Sequence, residues 1–164
     1  MKTVNKEVVL DISDLLPNGE GVAEINARRV QVRNALPGEV VSARILKKKK
    51  GIKYADAIEV VRSSQDRTDI ACKSYPRCGG CSMLHMLPSK EVELKSKKLN
   101  MDLKSRGIVF EETLDPVVNN FLHYRRKARL GVKCLGDTVL VGFRAVSYTH
   151  LRAHETDSYL VCRL

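Results

Sequence analysis

The chain has 164 residues, 43% of them hydrophobic and 29% charged, enough for one domain or two small ones that would bury roughly 70% of their extended surface. Lys and Arg outnumber Asp and Glu by 29 to 19, a net charge of +10 that favours a polyanionic partner. No stretch reaches the ~20 apolar residues of a membrane span and Met1-Lys2-Thr3 opens no signal-peptide core, so a cytoplasmic protein with reduced cysteines is expected.

Asn5 to Ile12 alternates, with Val8, Leu10 and Ile12 on one face, and Pro17-Asn18-Gly19 turns the chain into Gly21 to Ile25. Asn26-Ala27 reads as a tight turn into Arg28 to Arg33, where Val30 and Val32 alternate with polar residues. After the Ala35 to Glu39 loop come a fourth strand, Val40 to Leu46, a lysine loop, and a fifth strand, Tyr54 to Val61. Five short strands predict a small antiparallel barrel of the OB type with an oligonucleotide-binding face. Lys47, Lys48, Lys49, Lys50 and Lys53 are its candidate RNA contacts. A membrane surface is the weaker partner, because no amphipathic apolar helix lies beside the lysine run.

This segment, read as Leu-Pro-x-Gly-Glu-Gly-Val-Ala followed by Val-x-Val-x-Asn-Ala-Leu-Pro-Gly-Glu-x-Val, resembles a TRAM domain over about residues 2 to 62. The resemblance implies an OB-like RNA-binding barrel attached to an RNA-modifying enzyme.

A polar linker, Ser63 to Asp69, delivers the chain to Cys72-Lys-Ser-Tyr-Pro-Arg-Cys78-Gly-Gly-Cys81. Three thiols spaced C-x5-C-x2-C around two glycines can converge on one inorganic centre. Spacing alone leaves zinc and an iron-sulfur cluster level: His85 could complete a zinc site of three cysteines and one histidine, and Cys134 is a second possible fourth ligand. Cys134 falls in an expected strand, where a small apolar filler is the simpler role.

Leu87-Pro88-Ser89 reads as a helix start capped by Ser89, with Glu91 and Glu93 in the first turn, Lys104 and Arg106 near the end and Gly107 as the stop. Val92, Leu99 and Leu103 share the face expected to pack, and Lys95, Lys97, Lys98 and Lys104 make a solvated face. Tyr124 to Lys133 and Thr138 to Arg144 read as a hairpin about Gly136-Asp137. Its first strand offers Tyr124 for stacking beside Arg125, Arg126, Lys127 and Arg129, a set suited to single-stranded RNA.

Taken together, the barrel, Cys72-x5-Cys78-Gly-Gly-Cys81-x3-His85-Met86, the helix, Tyr124-Arg-Arg-Lys-Ala-Arg129 and Val141-Gly-Phe-Arg144 resemble the front of the iron-sulfur 23S rRNA (uracil-5-)-methyltransferases, collinearly over about residues 2 to 145. The resemblance implies that Cys72, Cys78 and Cys81 hold a 4Fe-4S cluster with a fourth cysteine further on, and that 23S rRNA is the partner. It implies S-adenosylmethionine as methyl donor in a C-terminal Rossmann-like domain, where a cysteine thiolate adds to carbon 6 of a flipped uracil so that carbon 5 becomes nucleophilic. This chain shows no glycine-rich cofactor loop and no catalytic cysteine, so it is expected to carry the RNA-binding and cluster parts without the catalytic site.

The alternative is a free-standing zinc- or cluster-bearing RNA-binding module. Radical S-adenosylmethionine enzymes would show C-x3-C-x2-C, and a tRNA uracil methyltransferase would lack both barrel and cysteine loop. Val146 to Leu164 has no clear period and resembles the translation of a transposase sequencing adapter, which would make Cys162 an accidental thiol. The expected architecture is mainly β with an α+β second part. A five-stranded barrel occupies residues 1–63, and an incomplete iron-sulfur domain of loop, helix and hairpin occupies 64–145. A non-native tail follows at 146–164, and no protein partner is evident.

Overall fold

In the computed structural model, residues 6–76, 78–135 and 138–143 are described. The chain divides into two compact units: the described residues of 1–69 and 85–116 make the first, and those of 70–84 and 117–164 the second. Residues 146–164, with the adapter resemblance and Cys162, lie outside the described residues.

The first unit is built on a mixed sheet of six strands, β1 (Lys6–Asp11), β2 (Asp14–Leu15), β3 (Gly21–Ile25), β4 (Arg28–Arg33), β5 (Val40–Lys49) and β6 (Ile52–Arg62), in the order β1-β5-β6-β4-β3-β2. Alternation decides which side is buried: Leu10, Ile12, Val30, Val32, Val41, Ala43, Ile45 and Ala55 meet in one apolar core, with Val8, Ile25, Ala57 and Val60 packed against it.

The turns follow from local chemistry. Asn26 and Ala27 both take positive φ, 52° and 55°, and Lys50 and Gly51 do the same at 49° and 82°, the backbone twist that two-residue hairpins require. Gly21 is required for space. A Cβ there would stand 2.8 Å from both the Ala35 carbonyl oxygen and the Ile12 side chain, closer than any side chain tolerates.

The two edges of this sheet are neighbours in sequence. β1 pairs with β5 and β2 with β3, so the single stretch from Lys6 to Leu15 contributes both ends of the strand order. Between them the Ser13 N–H donates to the Val22 carbonyl at 2.8 Å and the Ile12 N–H to the Glu39 carbonyl at 2.9 Å.

Several expectations are corrected. The strands number six, because Asp14–Leu15 pairs separately, and β4 runs parallel to β6, so the sheet is mixed and not purely antiparallel. The lysine run is not a loop: Lys47 to Lys49 continue β5, since pairing with β6 persists to Lys49↔Ile52 and only Lys50-Gly51 turn. Register shifts in β5, the last between Ile45 and Lys47, absorb the extra length as bulges.

The unit also contains α1 (Pro88–Ser105). Its N-cap is Leu87 with Pro88 in the first turn and no side-chain cap, so Ser89 does not cap it, and only Glu91 of the two glutamates lies in the first turn. None of its residues is buried and Leu99 is 58% exposed, which corrects the expected packed face. Ion pairs Lys90–Glu93, Lys95–Glu91 and Lys98–Asp102 run along it instead.

The second unit holds the cysteine loop and a ribbon of β7 (Gly131–Leu135) and β8 (Thr138–Gly142), paired antiparallel. Its first strand begins seven residues after the expected Tyr124, so Tyr124 to Arg129 are exposed irregular chain and not a basic strand face. Cys134 is exposed on β7, not an apolar filler. No helix among the described residues is long and apolar enough to cross a membrane.

Candidate nucleic-acid interface and cysteine loop

The tip of the β5–β6 ribbon concentrates charge. Lys47 stands opposite Tyr54, Lys48 opposite Lys53 and Lys49 opposite Ile52. Lys47 and Lys49 therefore share one side of the ribbon with Tyr54, and Lys48 and Lys53 share the other. Like charges directly opposite are unfavourable in a ladder.

Elsewhere in this unit Arg33, Arg44, Arg62 and Arg67 are paired with Asp56, Glu7, Asp11 and Glu39. Among the described residues, none of Lys47, Lys48, Lys49, Lys50 and Lys53 makes an ion pair. The Lys47 ammonium lies 5.0 Å from the centre of the Tyr54 ring. Partial burial, with Lys49 and Arg33 nearby, holds Lys47 below the ordinary lysine range, as expected where positive charge is crowded. Tyr54 was missed in the sequence because only the continued register places it beside Lys47.

The linker is fixed by a buried charge. The fully buried Glu39 carboxylate accepts the Leu36 N–H at 2.8 Å, the Ser64 N–H at 3.3 Å and both Nε and Nη2 of Arg67, the latter at 2.8 Å. Arg67 Nη2 also donates to the Asn34 carbonyl. Burial alone would raise the Glu39 carboxyl, but Arg67 and the two N–H groups outweigh it and hold the group below the usual carboxylate value. The bonds continue the first unit past residue 63, where a boundary was expected: Arg67 bridges to Met86, the Thr68 N–H donates to the His85 carbonyl and the Leu87 N–H to the Asp66 carbonyl. His85 is buried here, and burial with Arg67 beside it pushes its pKa down to about 4.

In the second unit the cysteine loop is tightly turned. The Tyr75 N–H donates to the Cys72 carbonyl at 3.2 Å, the Cys78 N–H to the Ser74 carbonyl at 2.9 Å and the Tyr75 hydroxyl to the Ser82 carbonyl. Cys72 and Cys81 are exposed thiols, and Cys78 is half-buried. The Gly80 N–H points at Cys78 Sγ, 3.4 Å away. Arg125 Nη2 approaches the Gly80 carbonyl at 3.5 Å, and its guanidinium lies 5.4 Å from the Phe143 ring centre and 6.0 Å from that of Tyr124.

As donors, three thiols in one short loop fit a sulfur-liganded centre such as 4Fe-4S. Among the described residues no three His, Cys, Asp or Glu are gathered closely enough to hold an ion.

Residues 1–58 match the TRAM domain family. The first unit carries a TRAM domain. Beyond the TRAM domain, the chain is similar to 23S rRNA (uracil(1939)-C(5))-methyltransferases RlmD. It is 32% identical to that of Acinetobacter baumannii (strain AB0057) over 97% of this chain and 37% of the relative. Identity is 35% to that of Neisseria lactamica over 76% of this chain and 28% of the relative. For Alkalilimnicola ehrlichii it is 39% over 81% of this chain and 31% of the relative. The chain thus spans about a third of the length of these relatives. Any stretch covering three quarters of the chain necessarily includes residues 72–81, so each match extends from the TRAM domain through the cysteine loop.

Proposed function

We propose that this chain is the RNA-binding and cluster-bearing portion of an S-adenosylmethionine-dependent 23S rRNA uracil-C5 methyltransferase. The observation that carries the reading is the continuity of the RlmD match across the TRAM domain and the cysteine loop, two features of different chemistry in one order.

In this reading the sheet is an OB-like barrel, supported by the way one stretch, Lys6 to Leu15, supplies both ends of the strand order. The five unpaired lysines of the ribbon tip take RNA phosphates, and Tyr124 with Arg126, Lys127 and Arg129 receives a single-stranded segment. Cys72, Cys78 and Cys81 are three ligands of a 4Fe-4S cluster, which would fix the loop; the methyl donor and the catalytic cysteine belong to the length of the relatives that this chain does not span. The resulting protein works in the cytoplasm, where ribosomal RNA is made.

The test is RNA binding by the chain, prepared without oxygen, across a series of salt concentrations, with iron, sulfide and zinc measured in the same samples. On a single-stranded RNA, Lys48→Ala with Lys53→Ala should flatten the slope of log K against log salt by about 1.4, roughly 0.7 for each phosphate no longer neutralised. Lys95→Ala should leave it unchanged, because Lys95 is already paired with Glu91. Salt-independent binding, or an unchanged slope in the double variant, removes the ribbon from the interface. Stoichiometric zinc without sulfide would favour the stand-alone zinc module.

A further inference from the structure

We propose that Arg125 is a positioning residue that couples the state of the cysteine loop to the neighbouring RNA-binding run, a role that rests on the function proposed above. Its contacts all lie within the second unit. Gly80 sits between a sulfur and a ring: a Cβ added to it would meet Phe143 at 3.3 Å and Cys78 Sγ at 3.4 Å. On one side its N–H points at Cys78 Sγ, and on the other its carbonyl faces Arg125. One residue's backbone therefore connects a candidate ligand sulfur to the guanidinium.

The guanidinium also lies over two rings, those of Phe143 and Tyr124. A planar cation over two rings and directed at a carbonyl is held in orientation in a way that Lys127, a flexible point charge, is not. Arg126, Lys127 and Arg129 share the exposure of Arg125 and its lack of an ion pair among the described residues, so it is the carbonyl and ring contacts that set Arg125 apart.

The consequence follows from electrostatics. When Cys78 becomes a metal-bound thiolate, the Gly80 N–H faces a negative sulfur, the hydrogen bond becomes charge-assisted, and the polarised backbone makes its carbonyl a better acceptor for Arg125. Arg125 then fixes Tyr124, the stacking platform, and the start of the basic run. Loading the loop should tighten RNA binding through this residue without adding a phosphate contact.

The experiment uses the 164-residue chain in two forms, reconstituted anaerobically with iron and sulfide, and stripped by a chelator. Affinity for a single-stranded RNA is measured against salt for wild type, Arg125→Lys, Phe143→Leu, their double variant and Arg126→Ala. The loaded wild type should bind more tightly than the stripped one by about two- to fivefold, the size of one exposed cation–π contact. Arg125→Lys keeps the charge but loses the planar group over the rings, so it should erase the difference between loaded and stripped forms with the salt slope unchanged. Phe143→Leu should do the same, and the double variant no more than either alone.

Arg126→Ala should flatten the slope by roughly 0.7 in both forms. Arg125→Lys with a wild-type response to loading overturns the proposal. So does an equal weakening in both forms. A wild-type chain that takes up neither iron nor zinc, or binds no RNA, fails at the underlying function and is distinguished by that result from a failure of the coupling alone.

Discussion

Glu39 and Arg67 stand 28 positions apart and are joined where Glu39 has no exposure to solvent. Their worth lies in what happens if one is removed. Arg67→Ala should destabilise the first unit by about 3–5 kcal/mol in urea unfolding, because the carboxylate is left buried without its cation. Glu39→Gln should cost less.

Acid should act on the same neighbourhood in two steps. His85 titrates near 6.5 when unfolded but stays neutral to about 4 when folded, so the unfolded state binds more protons and stability falls as pH drops from 6.5 towards 4. The lowered Glu39 extends the loss: its contribution is complete above the unfolded value of about 4.3 and disappears as pH falls through the lower folded one. Urea midpoints at a series of pH values check this, with His85→Gln expected to remove the upper part only. None of this was readable in the sequence. Glu39 was visible as the end of a Leu-Pro-Gly-Glu loop and Arg67 as part of a polar linker, and nothing local states that two such residues pair across the chain. His85 looked like a zinc ligand from its spacing to Cys81, whereas its burial is decided by the linker.

At the scale of elements, strands were more legible than their ends. Period-2 alternation identified Val8, Leu10, Ile12, Val30 and Val32 as inward-facing, and each is in or against the core. The ends failed where the side chains changed character while the backbone pairing did not. A lysine run suggests a loop, but β5 and β6 keep exchanging hydrogen bonds to Lys49 and Ile52 because the ribbon projects into water, where lysine is at no disadvantage.

The opposite error occurred at Tyr124 to Arg129, whose alternation looked like a strand but finds no partner among the described residues. Helix α1 was recognised from charge and capping signals, yet its cap is a proline start with no side-chain bond. Packing sets the hardest element-level constraint at Gly21. Gly21→Ala should lower stability by about 1–3 kcal/mol, since β3 must move away from Ala35 and Ile12, and thermal unfolding would report it. A neutral result would mean that the strand has room to shift.

For the whole molecule, the two units differ in how they are held. The first has a contiguous apolar core, while among the described residues the second shows a loop and a two-stranded ribbon. From Arg106 to Leu130 every residue is exposed, including Val109, Leu114 and Val117. Trypsin should therefore cut first after Arg106 and within Arg125 to Arg129, before any site in β3 to β6, as mass spectrometry of early digests would show. Bound RNA should protect the Arg125 to Arg129 sites but not Arg106. Early cleavage inside β5 would count against the relative stabilities described. Alternation along the chain gave a mainly β protein, which holds; it could not give the mixed sheet order, which depends on the parallel contact of β4 with β6.

Lys50 occupies the left-handed region, with φ of 49°, at the turn of the ribbon. Asparagine or glycine would rest there more comfortably, by about 1 kcal/mol. If RNA is what the ribbon meets, Lys50 places a charge at the tip against the preference of the backbone. Lys50→Asn should then raise the melting temperature and weaken RNA binding in the same molecule. A protein engineered for heat resistance by local rules alone would lose part of its purpose at this turn.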